Sequence, residues 1–150
     1  MKKTIGFCLL ILCLHTASAQ DADQKAVRQA ITGVFDGLSY RDIRYVKESA
    51  VKDFIVLENG VVWNMDTIAA KVDQLRTLKN YHRDNYFEYL QTEVNGNAAF
   101  VSYYNTAVIT IGGKRQTRHW LESAFLIKEA ENWKVRVLHS TVITPAQLRP

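Results

Sequence analysis

The chain has 150 residues, of which 47% are hydrophobic and 23% charged, and its formal net charge is +4. This composition is that of an ordinary globular protein, and the length suits one domain with one hydrophobic core. The positive excess is small, and its longest cluster, Lys114-Arg115 with Arg118, lies beside a Gly-Gly turn and indicates a solvated hairpin end. We therefore predict no nucleic-acid binding.

Residues 1–19 have the pattern of a secretory signal peptide. Two lysines precede an uninterrupted apolar run over residues 5–14, and Ala17-Ser18-Ala19 offers a cleavage site before Gln20. The apolar run is shorter than the roughly 20 residues that a membrane span needs. Both cysteines fall within this segment. We predict export to the periplasm or the extracellular space, with residues 20–150 forming a single domain that does not contact the membrane after cleavage.

Three helices are predicted before the chain becomes all strand. The first has apolar residues at helical spacings of three and four, namely Val27, Ala30, Ile31, Val34, Phe35 and Leu38. Gly37 and Ser39 are expected to end it, and a second helix covers Asp42 to Ser49 with an N-cap signal in Ser39-x-x-Asp42. The third begins near Asn64 or Asp66, and its apolar stripe is Met65, Ile68, Ala69, Val72 and Leu75.

Turn signals divide the rest of the chain into strands. A short hairpin lies between the second and third helices, where residues 54–58 and 61–63 flank Asn59-Gly60. Four longer strands follow, at Asn85–Val94, Ala98–Ile111, Lys114–Lys128 and Trp133–Ile143, and they form an antiparallel meander. Long antiparallel strands curl. We therefore predict an α+β fold in which three N-terminal helices pack on a strongly curved antiparallel sheet and form a cone.

Counting from the tight turns predicts which side chains share a face of the sheet. Pairing Ile111 with Lys114 sets Tyr103 opposite Glu122 and Asn105 opposite Trp120. Pairing Lys128 with Trp133 sets Glu122 opposite His139 and Trp120 opposite Thr141. The predicted pocket face is completed by Tyr86 and Glu88 of the first long strand. The other face carries Leu121, Ser123, Phe125, Ile127, Leu138, Ser140 and Val142, which is too apolar for open water and suits a homodimer interface.

Two interpretations of Glu122 and His139 follow. As a catalytic dyad they would transfer protons, because an opposed carboxylate raises the pKa of an imidazole while burial lowers it. Tyr103 or Asn105 could then donate to a developing oxyanion. As a structural pair they would satisfy one another across two strands. Trp120 and Trp63 are apolar fillers or ligand-stacking residues.

The chain resembles the NTF2-like superfamily, and within it the SnoaL-like or DUF4440 group of small, often exported proteins. The resemblance covers the chain after the signal peptide. It is carried by the order of helices and strands and by the closing pattern Trp120-Leu121-Glu122-Ser123-Ala124, Trp133-Lys134-Val135 and His139-Ser140-Thr141. It implies a cone-shaped pocket and frequent homodimers. Members include isomerases, cyclases, dehydratases and hydrolases as well as proteins with no known catalytic role, so the resemblance does not select an activity.

The leading hypothesis is an exported protein that binds a small, partly hydrophobic molecule in its pocket. The alternatives are a pocket enzyme that uses Glu122 and His139 for isomerase-type or lyase-type chemistry, and a non-catalytic dimerisation or protein-interaction module. The histidines do not converge by spacing, and Gly112-Gly113 is a hairpin turn without a following helix. The sequence thus predicts neither a metal site nor a nucleotide cofactor.

Overall fold

The computed structural model describes residues 5–148, with the side chains of residues 20–148. The elements are α1 (Ile5–Ser39), α2 (Ile43–Ser49), β1 (Ala50–Glu58), β2 (Val61–Asn64), α3 (Met65–Arg76), β3 (His82–Asn95), β4 (Ala98–Ile111), β5 (Lys114–Glu129), β6 (Asn132–Ile143) and a short 3₁₀ helix (Pro145–Gln147). The predicted signal peptide, residues 1–19, lies outside the residues whose side chains are described. No helix in the described part of the chain is long and apolar enough to cross a membrane.

The six strands form one curled, mixed sheet in the order β2-β1-β6-β5-β4-β3. Strands β3 to β6 pair in chain order, each antiparallel to the next, whereas β1 and β6 run parallel. The prediction of a wholly antiparallel sheet is therefore wrong at this one contact. The reason is that β2 occupies one edge of β1 and α3 then carries the chain away, which leaves the other edge of β1 to the last strand of the meander.

Helix α1 packs its predicted apolar stripe against the sheet. Val27, Ala30, Ile31, Val34 and Phe35 are buried, and Leu38 packs partly buried against the same core. The helix ends at Ser39, the second of the two predicted terminating residues, and runs on through Gly37. Gly33 and Gly37 instead allow α2 to approach closely, because a Cβ at either position would overlap Ser49 or Val46. Asp42, and not Ser39, caps α2 by accepting a hydrogen bond from the Arg44 amide.

Helix α3 and the hairpin before it follow the sequence signals closely. Asn59 and Gly60 have φ angles of 50° and 81°, the left-handed conformation that a tight hairpin turn requires at both central positions. Asn64 caps α3, since its Oδ1 accepts a 2.9 Å hydrogen bond from the Thr67 amide. Ile68 and Val72 are buried on the inner side of this helix. The helix thus stands over the sheet with its apolar stripe inward.

Two β-bulges decide which side chains enter the interior. In β3, Asn95 pairs with Ala98 but Tyr89 pairs with Tyr103, so Leu90 is an extra residue without a partner on β4. In β6, Trp133 pairs with Lys128 but Val137 pairs with Phe125, so Arg136 is extra. Each inserted residue reverses the alternation of the strand beyond it relative to a count from the turn.

Candidate functional site

A cavity of about 520 Å³ lies between the helices and the inner face of the sheet. Its helix side is mostly apolar and includes Phe35 and Leu38 of α1 and Ile68 and Leu75 of α3, and Trp63 of β2 lies beside them. Lys71 and Gln74 of α3 are the polar exceptions. The sheet side of the cavity is mixed. There Glu58, Arg83, Arg118, Trp120, Glu122, Leu138 and Ser140 contribute to the wall. A concave site with apolar walls and a few convergent polar groups is typical of small-molecule binding.

A row of polar residues crosses the inner face of the sheet, one from each of five neighbouring strands. The strand register pairs Glu58 with Ser140, Ser140 with Glu122, Glu122 with Tyr103, and Tyr103 with Tyr89. Glu122, at the centre of the row, is 4% exposed, and Ser140 is 3% exposed. This row places a buried carboxyl group in the cavity wall.

Two side chains hold the Glu122 carboxyl group. The Ser140 hydroxyl donates a 2.7 Å hydrogen bond to Oε1, and Asn105 Nδ2 donates a 3.3 Å hydrogen bond to Oε2. The Tyr103 hydroxyl lies nearby, but neither it nor Asn105 Oδ1 has a hydrogen-bond partner among the described residues. Both of these residues are completely buried and stand beside Glu122, while the cavity wall itself is formed by Glu122 and Ser140.

Burial raises the pKa of Glu122 to about 7. The hydrogen bonds from Ser140 and Asn105 act in the opposite direction, as do the nearby Tyr103 hydroxyl and the positive charge of Arg83, but they do not offset the loss of solvation. A carboxyl group with such a pKa is found in both protonation states near neutral pH, which is the property that a general acid or base needs. Burial and the adjacent Glu122 also raise the pKa of Tyr103 well above its usual value, so its phenol stays protonated.

The remaining charged side chains of the cavity are Glu58, Lys71, Arg83 and Arg118. Burial raises the pKa of Glu58, and the positive charges of Lys71, Arg83 and Arg118 oppose that shift. Burial also lowers the pKa of the Arg83 guanidinium. The side chains described in the structure contain no group of three or more histidine, cysteine or acidic residues placed to hold a metal ion.

The register predicted for β4 and β5 is confirmed. Tyr103 pairs with Glu122 and Asn105 with Trp120, and all four side chains are buried on the inner face. Trp63, predicted as a ligand-stacking residue, lines the cavity, and so does Trp120.

Four other predicted site residues lie on the outer face of the sheet. Glu122 is opposite Ser140, and His139 is opposite Ser123 and exposed to solvent, so Glu122 and His139 form no pair. Thr141 is exposed on the same side as His139. The cause is the extra residue Arg136 in β6. Tyr86 and Glu88 are likewise exposed, because the extra residue Leu90 turns Phe87 and Tyr89 inward in their place.

Several polar or charged residues of the cavity wall were absent from the predicted site, among them Glu58, Lys71, Arg83, Arg118 and Ser140, and Arg118 was instead assigned to a solvated hairpin end. Ser140 was assigned to the outer face together with Leu138, and both line the cavity. Arg83 lies just before the predicted start of β3 at Asn85, whereas the strand begins at His82. Glu58 comes next to a hairpin turn. Its position opposite Ser140 depends on the parallel β1–β6 contact, for which no local sequence signal exists.

Comparison with solved structures gives the fold. Over 82% of this chain and 98% of the other, it is similar to a ketosteroid isomerase-like protein from Erwinia carotovora atroseptica, with a TM-score of 0.64 and 18% identity. A scytalone dehydratase-like protein from Novosphingobium aromaticivorans matches with a TM-score of 0.70 and 12% identity, covering 85% of this chain and 89% of the other. An NTF2-like superfamily protein from Salmonella enterica matches with a TM-score of 0.70 and 13% identity, covering 83% and 93%.

These similarities define the class: the chain has the NTF2-like fold, an α+β arrangement with a pocket between helices and a curled sheet. No protein-family model matches the chain, and no curated protein matches it. At these levels of identity the comparisons establish the fold but assign no activity, which has to be argued from the residues of the site.

Proposed function

We propose that this chain is an exported binding protein for a small, partly hydrophobic molecule, with the cone-shaped cavity as its binding site. One observation carries the proposal, namely a cavity of about 520 Å³ with mostly apolar helix walls and the buried carboxyl group of Glu122 in its sheet wall. Apolar walls supply affinity by burying the ligand, and a few fixed polar groups supply orientation. Export is supported by the pattern of residues 1–19, and the SnoaL-like or DUF4440 group by the closing residue pattern.

A neutral dye tests this function. Nile red, which fluoresces in apolar surroundings, is titrated into the chain from residue 20 onward. The variant Leu75→Trp adds bulk at a half-buried position of the cavity wall on α3, and Ala70→Trp adds the same side chain at an exposed position of the same helix. We expect saturable one-to-one binding that Leu75→Trp weakens at least about tenfold and Ala70→Trp leaves unchanged. Equal effects of the two variants, or no saturable binding, would reject the cavity as the site.

A second candidate function is an enzyme that transfers a proton through Glu122. The observation in its favour is the pKa of about 7 in a carboxyl group at the cavity wall. Isomerase-like and dehydratase-like names among the structural neighbours agree with such chemistry. The dyad with His139 is excluded by the register, so Glu122 would act without an imidazole partner, held in place by Ser140 and Asn105.

Exchange of carbon-bound hydrogen for deuterium tests whether the protein transfers protons as an enzyme. With 1-tetralone in D₂O, nuclear magnetic resonance follows the loss of the protons next to the carbonyl group. An acid/base role predicts exchange above the buffer rate that disappears in Glu122→Gln and persists in Glu88→Gln, an exposed glutamate of the outer face. Exchange at the buffer rate with the unaltered protein, under conditions where the ketone is bound, would support binding without this chemistry.

We also propose that two copies associate through the outer face of the sheet. This face exposes five large apolar side chains, namely Tyr86, Leu90, Phe100, Leu121 and Phe125. Phe100 and Phe125 are direct cross-strand neighbours, so they form a continuous apolar centre. A second copy would cover it with the same surface in a two-fold arrangement.

Analytical ultracentrifugation tests the dimer. Phe125→Glu places a charge at the centre of the patch, whereas Val61→Glu changes another exposed apolar residue, on the edge strand β2. We expect a dimer that Phe125→Glu dissociates and Val61→Glu preserves. A monomeric unaltered protein at micromolar concentration would contradict this proposal and leave the cavity function intact.

A further inference from the structure

Three cationic side chains reach the cavity from three different elements. Lys71 comes from α3, Arg83 from β3 and Arg118 from β5. All three line the same cavity as Glu58, and the positive charge of each opposes the rise in the pKa of that carboxyl group. Together they form what we call the cationic cluster.

The cationic cluster is not neutralised by contact with the carboxyl groups of the cavity. The six ion pairs found among the described side chains, within 4.0 Å, involve other residues, such as Arg44 with Asp42 and Lys128 with Asp23. Lys71, Arg83 and Arg118 take part in none of them. Charges left without a contacting counter-ion in a partly desolvated site attract an ion of opposite sign.

Two members of the cluster are held over tryptophan rings of the wall. Lys71 Nζ is 4.0 Å from the centre of the Trp63 ring, and Arg83 Cζ is 5.5 Å from the centre of the Trp120 ring. Such contacts keep a cation at an apolar wall instead of letting it extend into water. Both rings also line the cavity.

Hydrogen bonds orient the Arg83 side chain further. Its Nε donates a 3.0 Å hydrogen bond to Asn85 Oδ1, and Asn85 Nδ2 donates a 3.1 Å hydrogen bond to Ser39 Oγ at the end of α1. The guanidinium is therefore positioned by Asn85 of the same strand and, through Asn85, by the end of α1 before any ligand arrives, which reduces the entropy lost on binding.

The two carboxyl groups do not cancel the cluster. Burial raises the pKa of both Glu58 and Glu122, so an approaching anion meets carboxyl groups that take up a proton more readily than exposed ones, whereas lysine and arginine are cations by their ordinary pKa values. The cavity thus adapts to a negative ligand and not to a positive one.

We propose that the ligand of this cavity is an amphiphilic monoanion, with an apolar body against α1 and α3 and one acidic group held by Lys71, Arg83 and Arg118. This inference rests on the proposed small-molecule binding and specifies its chemical class. A cationic ligand of the same size would meet three positive charges and is expected to be rejected.

Two probes of equal size separate this inference from the binding function. 2-Naphthoate and 2-naphthamide share one aromatic body and differ in charge. Their dissociation constants are measured at pH 7.5 by quenching of tryptophan fluorescence, since Trp63 and Trp120 line the cavity. We expect 2-naphthoate to bind at least about tenfold more tightly. Added salt should weaken 2-naphthoate only.

A double variant and a control variant test which cationic residues bind the acidic group of the ligand. In Lys71→Gln/Arg118→Gln the affinity for 2-naphthoate should fall toward that of 2-naphthamide, while the amide is unaffected. Arg115→Gln is the matched control, because Arg115 is an exposed cation on β5 outside the cavity wall. Arg118 is itself exposed, so its substitution is compatible with folding.

Three other outcomes would each overturn a stated part of the proposal. Equal affinity for both probes would overturn the anionic ligand and keep the binding function. An undiminished preference for 2-naphthoate in Lys71→Gln/Arg118→Gln would overturn the assignment to the cationic cluster. Absence of binding for both probes would overturn this inference together with the binding function.

Discussion

Ser140 and Glu122 lie opposite one another on β6 and β5, and the Ser140 hydroxyl donates a 2.7 Å hydrogen bond to Glu122 Oε1. Both side chains are almost completely buried. The pairing exists because β6 contains one extra residue, Arg136, between its turn and Ser140. A buried carboxyl group thus has a hydroxyl donor where a regular strand would have presented an imidazole.

Removing this donor should destabilise the fold in a pH-dependent way. Ser140→Ala takes a charge-assisted hydrogen bond from a buried carboxylate, so we expect a loss of about 1–3 kcal/mol in the free energy of unfolding at pH 8.5. The loss should be smaller at pH 5, where Glu122 is protonated. Urea denaturation at both pH values measures it, with Thr141→Ala on the exposed face as the control. Equal losses at the two pH values would contradict the assigned hydrogen bond.

Glu122 should make the native state less stable as the pH rises. Its pKa is about 7 in the folded chain and 4.5 in the reference state, so the native state retains a proton that the unfolded chain has already released. The stabilising contribution of this proton to the free energy of unfolding is fully present below pH 4.5 and is lost as the pH rises through about 7. The difference amounts to on the order of 3 kcal/mol.

The variant Glu122→Gln isolates this effect, because glutamine does not titrate. Relative to the unaltered protein, its free energy of unfolding should rise by on the order of 3 kcal/mol between pH 4.5 and pH 8.5, as measured by urea denaturation. Glu129→Gln, at an exposed position, is the control and should follow the unaltered protein. Parallel stability profiles for the unaltered protein and Glu122→Gln would show that burial does not raise the pKa of this carboxyl group.

The inner face of β4 and β5 was predictable from sequence because nothing interrupts the count from their turn. Gly112-Gly113 fixes the pairing of Ile111 with Lys114, and both strands continue without a bulge through Tyr103 and Glu122. The alternation of side chains then determines every inner residue. The helices were equally predictable from the sequence, because their apolar residues recur at helical spacing.

The rest of the site could not be predicted from the sequence, because it depends on two β-bulges and on a long-range strand contact. Leu90 and Arg136 stand in strands without a glycine or proline to mark the irregularity, so the count from the turn placed His139 and Tyr86 inside. The contact of β1 with β6 joins segments more than 80 residues apart, such as Glu58 and Ser140. Local patterns contain no information about such a pairing.

Deleting Arg136 should therefore be far more harmful than truncating it. The deletion would give β6 the regular register, which buries His139 in place of Ser140 and removes the donor to Glu122. We expect a loss of more than about 3 kcal/mol or failure to fold. Arg136→Ala removes only an exposed 3.3 Å ion pair with Asp53 and should cost less than about 1 kcal/mol. Circular dichroism and thermal unfolding compare the two variants, and similar stabilities would contradict the role given to the bulge.

Tyr103→Phe should stabilise the protein. The Tyr103 ring is completely buried and packs against Phe87 and Tyr89 at centroid distances of 5.7 Å, contacts that phenylalanine keeps. Its hydroxyl has no hydrogen-bond partner among the described residues, so its removal relieves an unsatisfied buried group and should gain about 1 kcal/mol at pH 5. The gain should shrink at pH 8.5, because the nearby phenol lowers the pKa of Glu122 and so favours its ionised form. Tyr104→Phe on the outer face is the matched control. A loss of stability at both pH values would mean that the hydroxyl makes a hydrogen bond, and the row of polar groups around Glu122 would then hold the carboxyl group through three donors instead of two.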